Sequence, residues 1–388
     1  MGNRRFPQNK VFWAMFTFML FCASFYTAYA QSQNQGTNDI ELARVLQIIS
    51  QTIQDVPGTN TSETVQTLQA KILEGPEKGM IVTVHNDYLN LKPNDEFYAD
   101  HVNGSEGAIN GTWNVQEPYR LPTLEILGGI LVLTIIIFGG KQGIRGLISL
   151  IASLAAIIWI LLPGILAGYS PILLSIGISS FIVIVGSYIT HGFSRTTTAA
   201  VLGMIVTICV TGAIAYWSVH AAMLSGYSSE EVTYLHFATN GSIDFVGLLL
   251  GGIMIGLLGI LYDAAIGQAV AVEELKRAAS HYTPWQLYKR AERIGREHIG
   301  ALVNTLAIAY VGVSLPLLLL LHFTNMPLAV TINQEIFATE IIRMMVGSIG
   351  LVLAVPVTTL ISIWVLRRSN FPIETEEHAH SHSHSSPR

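Results

Sequence analysis

From Leu121 onward the chain is a series of long apolar runs separated by short polar breaks. The runs cover 121–140, 144–163, 170–190, 197–221, 243–272, 299–322 and 336–366. Each is near or above the ~20 residues that an α-helix needs to cross the hydrocarbon of a bilayer, so the pattern predicts seven membrane-spanning helices. A further apolar run begins at Val11, behind Arg4, Arg5 and Lys10, and closes on Ala28-Tyr29-Ala30. That layout fits a cleaved signal peptide over 1–30 and a retained N-terminal anchor alike.

Between 31 and 118 the pattern changes to short alternation. Ile81-Val82-Thr83-Val84 has the period of a strand, and Gly75-Pro76, Pro93-Asn94-Asp95 and Asn103-Gly104 read as turns. A small β-barrel or sandwich is predicted. The whole reads as a polytopic α-helical membrane protein, with seven core spans over 121–366 plus the N-terminal apolar segment and a small exported mainly-β domain.

Charge gives the expected orientation, because cytoplasmic loops of membrane proteins are enriched in Lys and Arg. Lys141 and Arg145 follow the first of the seven spans, Arg195 the third, six basic residues from Lys276 to Arg296 the fifth, and Arg367 and Arg368 the last. The loops around Gly168, Glu230 and Asn325 hold no Lys or Arg. This alternation predicts residues 31–118 outside the plasma membrane and the C-terminus in the cytoplasm. Residues 31–118 hold 4 basic and 12 acidic residues, a balance of 4 − 12 = −8, which reads as a solvated surface or as one that binds a polymer or ion. Only 12% of the chain is charged, against about 25% in soluble domains, and no nucleic-acid partner is implied. Cys22 and Cys209 both lie in apolar runs, which leaves no disulfide framework or thiolate metal site.

Several residues are candidates for chemistry. Gly247, Gly251, Gly259, Asp263, Gly267 and Ala271 fall on four-residue steps, predicting a ridge of small residues where a second helix packs closely. Asp263 costs about 2.5–3.5 kcal/mol at the centre of a spanning helix, and less toward the inner side where its depth of about 27 Å from Phe245 places it. Asn304 and Thr305 begin the next span at similar depth. The three read either as one polar site for a cation or proton, or as structural hydrogen-bonding groups. Glu340 and Arg343, spaced i, i+3, share a helix face near the outer end of the last span, and read as an anchoring pair or a gate. Asp244 suits a helix start. In the inner loop 273–298, Thr283-Pro284 reads as an N-cap. The aromatic and basic residues after it predict an amphipathic helix at the inner surface, attracted to anionic lipid or docking a cytosolic partner. His378, His380, His382 and His384 in the tail 367–388 are either weak ligands for a divalent metal or part of a disordered tail. A homo-oligomer is compatible with all of this. No phosphate loop, His-Glu-x-x-His helix or Gly-x-Ser-x-Gly elbow occurs, so no enzyme is expected.

The last three spans carry GLLLGGIMIGLLGILYDAAIGQAVAVEEL, IGREHIGALVNTLAIAYVGVSLPLLLLL and EIIRMMVGSIGLVLAVPVTTLIS, and the N-terminal part carries ILEGPEKGMIVTVHN. On these stretches the chain resembles the YibE/F-like family of prokaryotic multi-pass membrane proteins. The resemblance implies an N-terminal membrane segment, an exported small domain and a helical core described only as permease-like. It departs from the family at Gly300-Ala301-Leu302-Val303-Asn304-Thr305-Leu306, where a hydroxyl-rich GT-x-TNTL is expected, and at Gly267 and Val270, where small hydroxyls are expected. The functional expectation is a transporter, possible cation coupling passing through Asp263 and Asn304. The alternative is a non-transport sensor or envelope-assembly scaffold that acts through the exported domain.

Overall fold

The computed structural model describes residues 39–58, 60–87, 89–102, 112–323 and 326–367. The apolar segment 1–30 and the four tail histidines lie outside them. The chain divides at Gly140 into two compact units.

The first unit is built on five strands: β1 (Asp39–Asp55), β2 (Ser62–Ile72), β3 (Ile81–Asn86), β4 (Glu96–Val102) and β5 (Thr112–Pro118). They close into a barrel in the order β1-β2-β3-β5-β4, an architecture of the OB-fold kind. β3 and β5 pair in parallel and every other pairing is antiparallel. The 17-residue β1 serves two neighbours, β4 through Asp39–Arg44 and β2 through Ala43–Asp55. Bulges between Val45 and Gln47 and between Ile48 and Ser50 let it bend from one to the other. Alternation sends Ala43, Val45, Leu68, Ala70, Ile72, Val84, Phe97 and Ala99 inward, where all are fully buried.

Each end of this interior finishes on a polar side chain. At one end Gln66, fully buried, accepts from Asn86 Nδ2 (2.7 Å) and Leu91 N (2.9 Å) and donates to Leu91 O (3.0 Å). At the other end stands Glu41, on the inward face of β1 beyond Ala43 and Val45 and only 3% exposed.

The stretch α1 (Leu121–Ala156) is two helices joined at a kink: Gly140, where the units divide, has the non-helical φ 51° and ψ −136°. A side chain there would meet steric strain that glycine avoids. A π-helical turn, Ile157–Leu161, joins α1 to α2 (Leu162–Leu166). The second unit continues through α3 (Pro171–His191), α4 (Arg195–Ala221), α5 (Glu230–Ala238), α6 (Phe245–Ala278), α7 (Pro284–Val313), α8 (Leu315–Phe323), α9 (Leu328–Ile332) and α10 (Glu335–Leu366). Three of its helix starts are capped by side chains: Ser194 accepts from Thr197 N, Asp244 from Gly247 N, and Thr283 forms a capping box with Gln286 ahead of Pro284. The central cluster is apolar and continuous, with Met204 and Ile208 of α4, Leu250, Ile253, Met254, Leu257 and Leu261 of α6, and Leu351 of α10.

The sequence expectation meets the structure at two points, the span count and the inner loop. Among the described residues five helices are long and apolar enough to span, or six if α7 and α8, bent by 64°, count as one. The runs 121–140 and 144–163 fall in a 46-residue stretch that this count takes as one, but the backbone is non-helical at Gly140, so the stretch is two helices meeting at a kink, at the boundary the sequence pattern places between them. At the inner loop, 284–298 is not a separate surface helix. α6 extends to Ala278, and α7 starts at Pro284 and runs unbroken into the apolar segment. Leu287 and Ala291 are buried with Val272 and Leu366, so the basic loop shrinks to a short turn.

Candidate functional site

The ridge of small residues on α6 divides in two. A four-residue step advances 400° on a helix of 3.6 residues per turn, so the row drifts by about 40° each time. The Asp244 end of the row is packed: a methyl group built on Gly251 would lie 2.4 Å from Ser175 Oγ of α3, and one on Gly247 would lie 3.2 Å from Pro171 Cδ. By Gly259 the drift has turned the row outward. A methyl built on Gly252, Gly259 or Gly267 meets nothing within 4 Å, and Asp263 stands on this same open stripe. The close packing expected along the whole ridge therefore holds for its first half.

Asp263 makes no hydrogen bond or ion pair among the described residues. Asn304 and Thr305 are exposed on α7, and Thr305 Oγ1 donates to Ala301 O of its own helix at 2.9 Å. No hydrogen bond joins any of the three to another. The α7 residues that meet the core are Leu302, Val303 and Leu306, one face away from Asn304 and Thr305.

A different set of polar groups does converge. Near the end of α6 that carries Lys276 and Arg277, a pocket is lined by His191, Ser194, Thr196 and Thr197 on one side and by Ile266, Val270 and Glu273 on the other. Its empty space is about 410 Å³, counting the part open to solvent. Thr196 Oγ1 donates to Glu273 Oε2 at 2.5 Å, and Arg277 Nη2 donates to Glu273 Oε1 at 2.6 Å. The His191 ring lies 6.1 Å from that of Tyr262, the neighbour of Asp263. Val270 is two turns from Asp263 on the same stripe, about 10 Å along the axis. The open face of α6 thus runs from the pocket to the carboxylate.

A second polar point lies toward the other end. Glu340 and Arg343 form the expected pair on α10, at 2.8 Å. Ser314, at the break between α7 and α8, donates to Glu340 Oε2 at 3.4 Å. The pair therefore ties α10 to the elbow of a bent helix.

A family model described as YibE/F-like protein matches residues 127–368, and one described as the YibE/F family N-terminal domain matches 36–102. The chain belongs to the YibE/F-like family. No curated protein and no solved structure matches it. The family and the several apolar helices are consistent with a multi-pass membrane protein.

In this YibE/F-like protein, sequence reasoning missed Glu273. It was absorbed into the basic loop, although its i, i+4 spacing to Arg277 marks a helical pair and Ser194-Arg195-Thr196-Thr197 is a dense hydroxyl run. Gln268 was missed too. Only 4% exposed, it donates to Ala291 O (2.9 Å) and Thr359 Oγ1 (2.7 Å), joining α6, α7 and α10. The elbow gives a first prediction. Glu340→Gln is expected to lower thermal stability in detergent by about 1 kcal/mol, the upper range for a pair still partly open to solvent. High salt should lower the parent's melting temperature and leave the variant's unchanged; equal salt responses would show that the pair contributes nothing.

Proposed function

We propose that the helical unit of this YibE/F-like protein is a permease in which Asp263 carries a cation or a proton. In this reading the His191–Glu273 pocket is the approach from the cytoplasmic side, as the charge alternation orients it. The observation that carries the reading is Asp263 itself: a carboxylate on an apolar helix, without a partner among the described residues, on an open stripe that leads into a polar pocket. A carboxylate is tolerated at membrane depth only where protein, water or a counter-ion meets it. An open, polar-ended stripe supplies such an access route.

The test is flux into proteoliposomes holding the full-length protein, with pH- and cation-sensitive dyes inside. Asp263→Asn is expected to lower flux at least about tenfold, a barrier change of ~1.4 kcal/mol, while Asp263→Glu retains it. Equal flux through the parent and the Asn variant would remove Asp263 from the pathway, and no flux of any cation would remove the permease reading. A second reading, a sensor or assembly scaffold acting through the barrel, is favoured by the β1–β2 ribbon. β1 runs on past its last pairing with β4 at Arg44 and exposes Ile49 and Ile53. Specific retention of an envelope component by the barrel, unaffected by Asp263→Asn, would support it.

A further inference from the structure

The two ends of the barrel interior are not equivalent. At the Gln66 end, Gln66 and Asn86 are hydrogen-bonded to each other and to the 89–91 segment. At the Glu41 end the turn 73–79 folds over the opening, stitched to β1 by Leu73 N and Glu74 N, which both donate to Leu42 O. Glu77 N donates to Glu41 Oε1 at 3.2 Å. The other oxygen of Glu41 is buried and has no partner, and Glu77 Oε2, on the same turn, is buried and has none either. A methyl group on Gly75 would lie 2.5–2.7 Å from the Glu41 carboxyl group, and Gly75 has φ 109°. Glycine is therefore what allows the turn to close over the acid.

We infer that this end of the barrel binds calcium, with Glu41 Oε2 and Glu77 Oε2 as its side-chain ligands. A carboxylate this deeply buried needs a partner for its charge, and an orphaned buried oxygen calls for an ion or water. Oxygen donors select a hard cation. Among the described residues no three His, Cys, Asp or Glu side chains converge, so main-chain carbonyls and water complete the shell. Calcium accepts that irregular mixture, whereas magnesium demands a near-ideal octahedron. The inference is independent of the permease reading.

The experiment is hydrogen–deuterium exchange of the full-length protein in detergent, read on peptides covering 39–46 and 72–80. With calcium at ten times its dissociation constant, exchange through opening of this end is expected to slow about tenfold. Dissociation constants of weak modules of this type lie near 10⁻⁴–10⁻³ M. Glu41→Gln and, on the turn, Glu77→Gln are each expected to abolish the slowing, while Glu63→Gln on exposed β2 leaves it. Glu77→Gln keeps the test valid if the buried substitution loosens the barrel. No calcium-dependent slowing, an equal effect of sodium chloride at matched ionic strength, or slowing that survives both substitutions would overturn the site. The first of these outcomes would leave water as the partner of Glu41.

Discussion

Leucine at Gly203 or at Gly350 is expected to abolish the folded helical unit, whereas leucine at Gly252 or Gly259 is expected to leave it intact. α4 and α10 cross with each glycine facing a threonine of the other helix. A methyl group on Gly203 would sit 2.6 Å from Thr358 Oγ1 and 3.0 Å from its Cα; one on Gly350 would sit 2.6 Å from Thr211 Oγ1. Eight residues separate the two contacts on each helix and they run in opposite directions, so the helices are antiparallel and locked at two points about 12 Å apart. Small residues are what allow such backbone approach in a bilayer. At Gly203 the obstacle includes backbone, which cannot rotate away. Overpacking of one methylene or more in a dense core costs about 1–3 kcal/mol, and a leucine adds four carbons where no space exists. Gly252 and Gly259 of α6 face open space, and replacing glycine inside a helix otherwise favours it by about 1 kcal/mol. Size-exclusion profiles of detergent-solubilised fluorescent fusions distinguish the cases. Monodisperse protein from Gly203→Leu or Gly350→Leu would refute the α4–α10 crossing.

Gln66→Ala is the corresponding change for the barrel. It removes the acceptor of Leu91 N and of Asn86 Nδ2 and the donor to Leu91 O. Leaving a buried polar group unpaired costs about 1–3 kcal/mol, and two main-chain groups of Leu91 are affected at once. A loss of about 3–5 kcal/mol follows, a large share of the 5–15 kcal/mol that stabilises a typical domain. Gln47→Ala, which breaks only an exposed bond to Gln69, is expected to fall within about 0.5 kcal/mol of the parent. Amide exchange in β3 reads both, and equal protection in the two variants would show that the loop 86–91 is held by something other than Gln66.

Much of this architecture is legible in the residues. Alternation in Ile81–Val84 is enough to indicate a strand, because inward and outward positions of a barrel differ at every step. Asp244 and Thr283-Pro284 announce helix starts, because capping is local chemistry within four residues. The span count is less legible. Hydropathy separates the runs near Lys141, where Gly140 breaks the helix, but it does not register a bend inside one apolar run, such as the 64° bend between α7 and α8. The extent of the packed glycine ridge is only partly legible for a related reason. Four-residue spacing shows that small residues form a row, but which part of the row meets a neighbour depends on where α3 and α7 lie. The pairing of Asp263 with Asn304 rested on depth alone, and depth does not specify the facing direction. Thr196 and Glu273 are 77 residues apart in sequence, and nothing local to either marks the other.

The unbroken course of α7 has a mechanical consequence. Its 30 residues make a rod about 45 Å long at 1.5 Å per residue. The rod is gripped part-way at Gly295, where a methyl group would strike Val355 Cγ1 at 2.4 Å and Gln268 Oε1 at 2.7 Å. One arm carries the aromatic and basic patch, with Trp285 stacked on Tyr288 and Lys289 over the Trp285 ring. The other arm ends at Ser314 and its bond to Glu340. Both arms are also packed, through Leu287 and Ala291 on the basic side and through Leu302, Val303 and Leu306 on the other, so a tilt of the rod of about 5°, which carries its far tip roughly 2–3 Å, would disturb the core and the Ser314 bond together. A force on Trp285 and a charge change at Glu340 therefore act on the same rigid body.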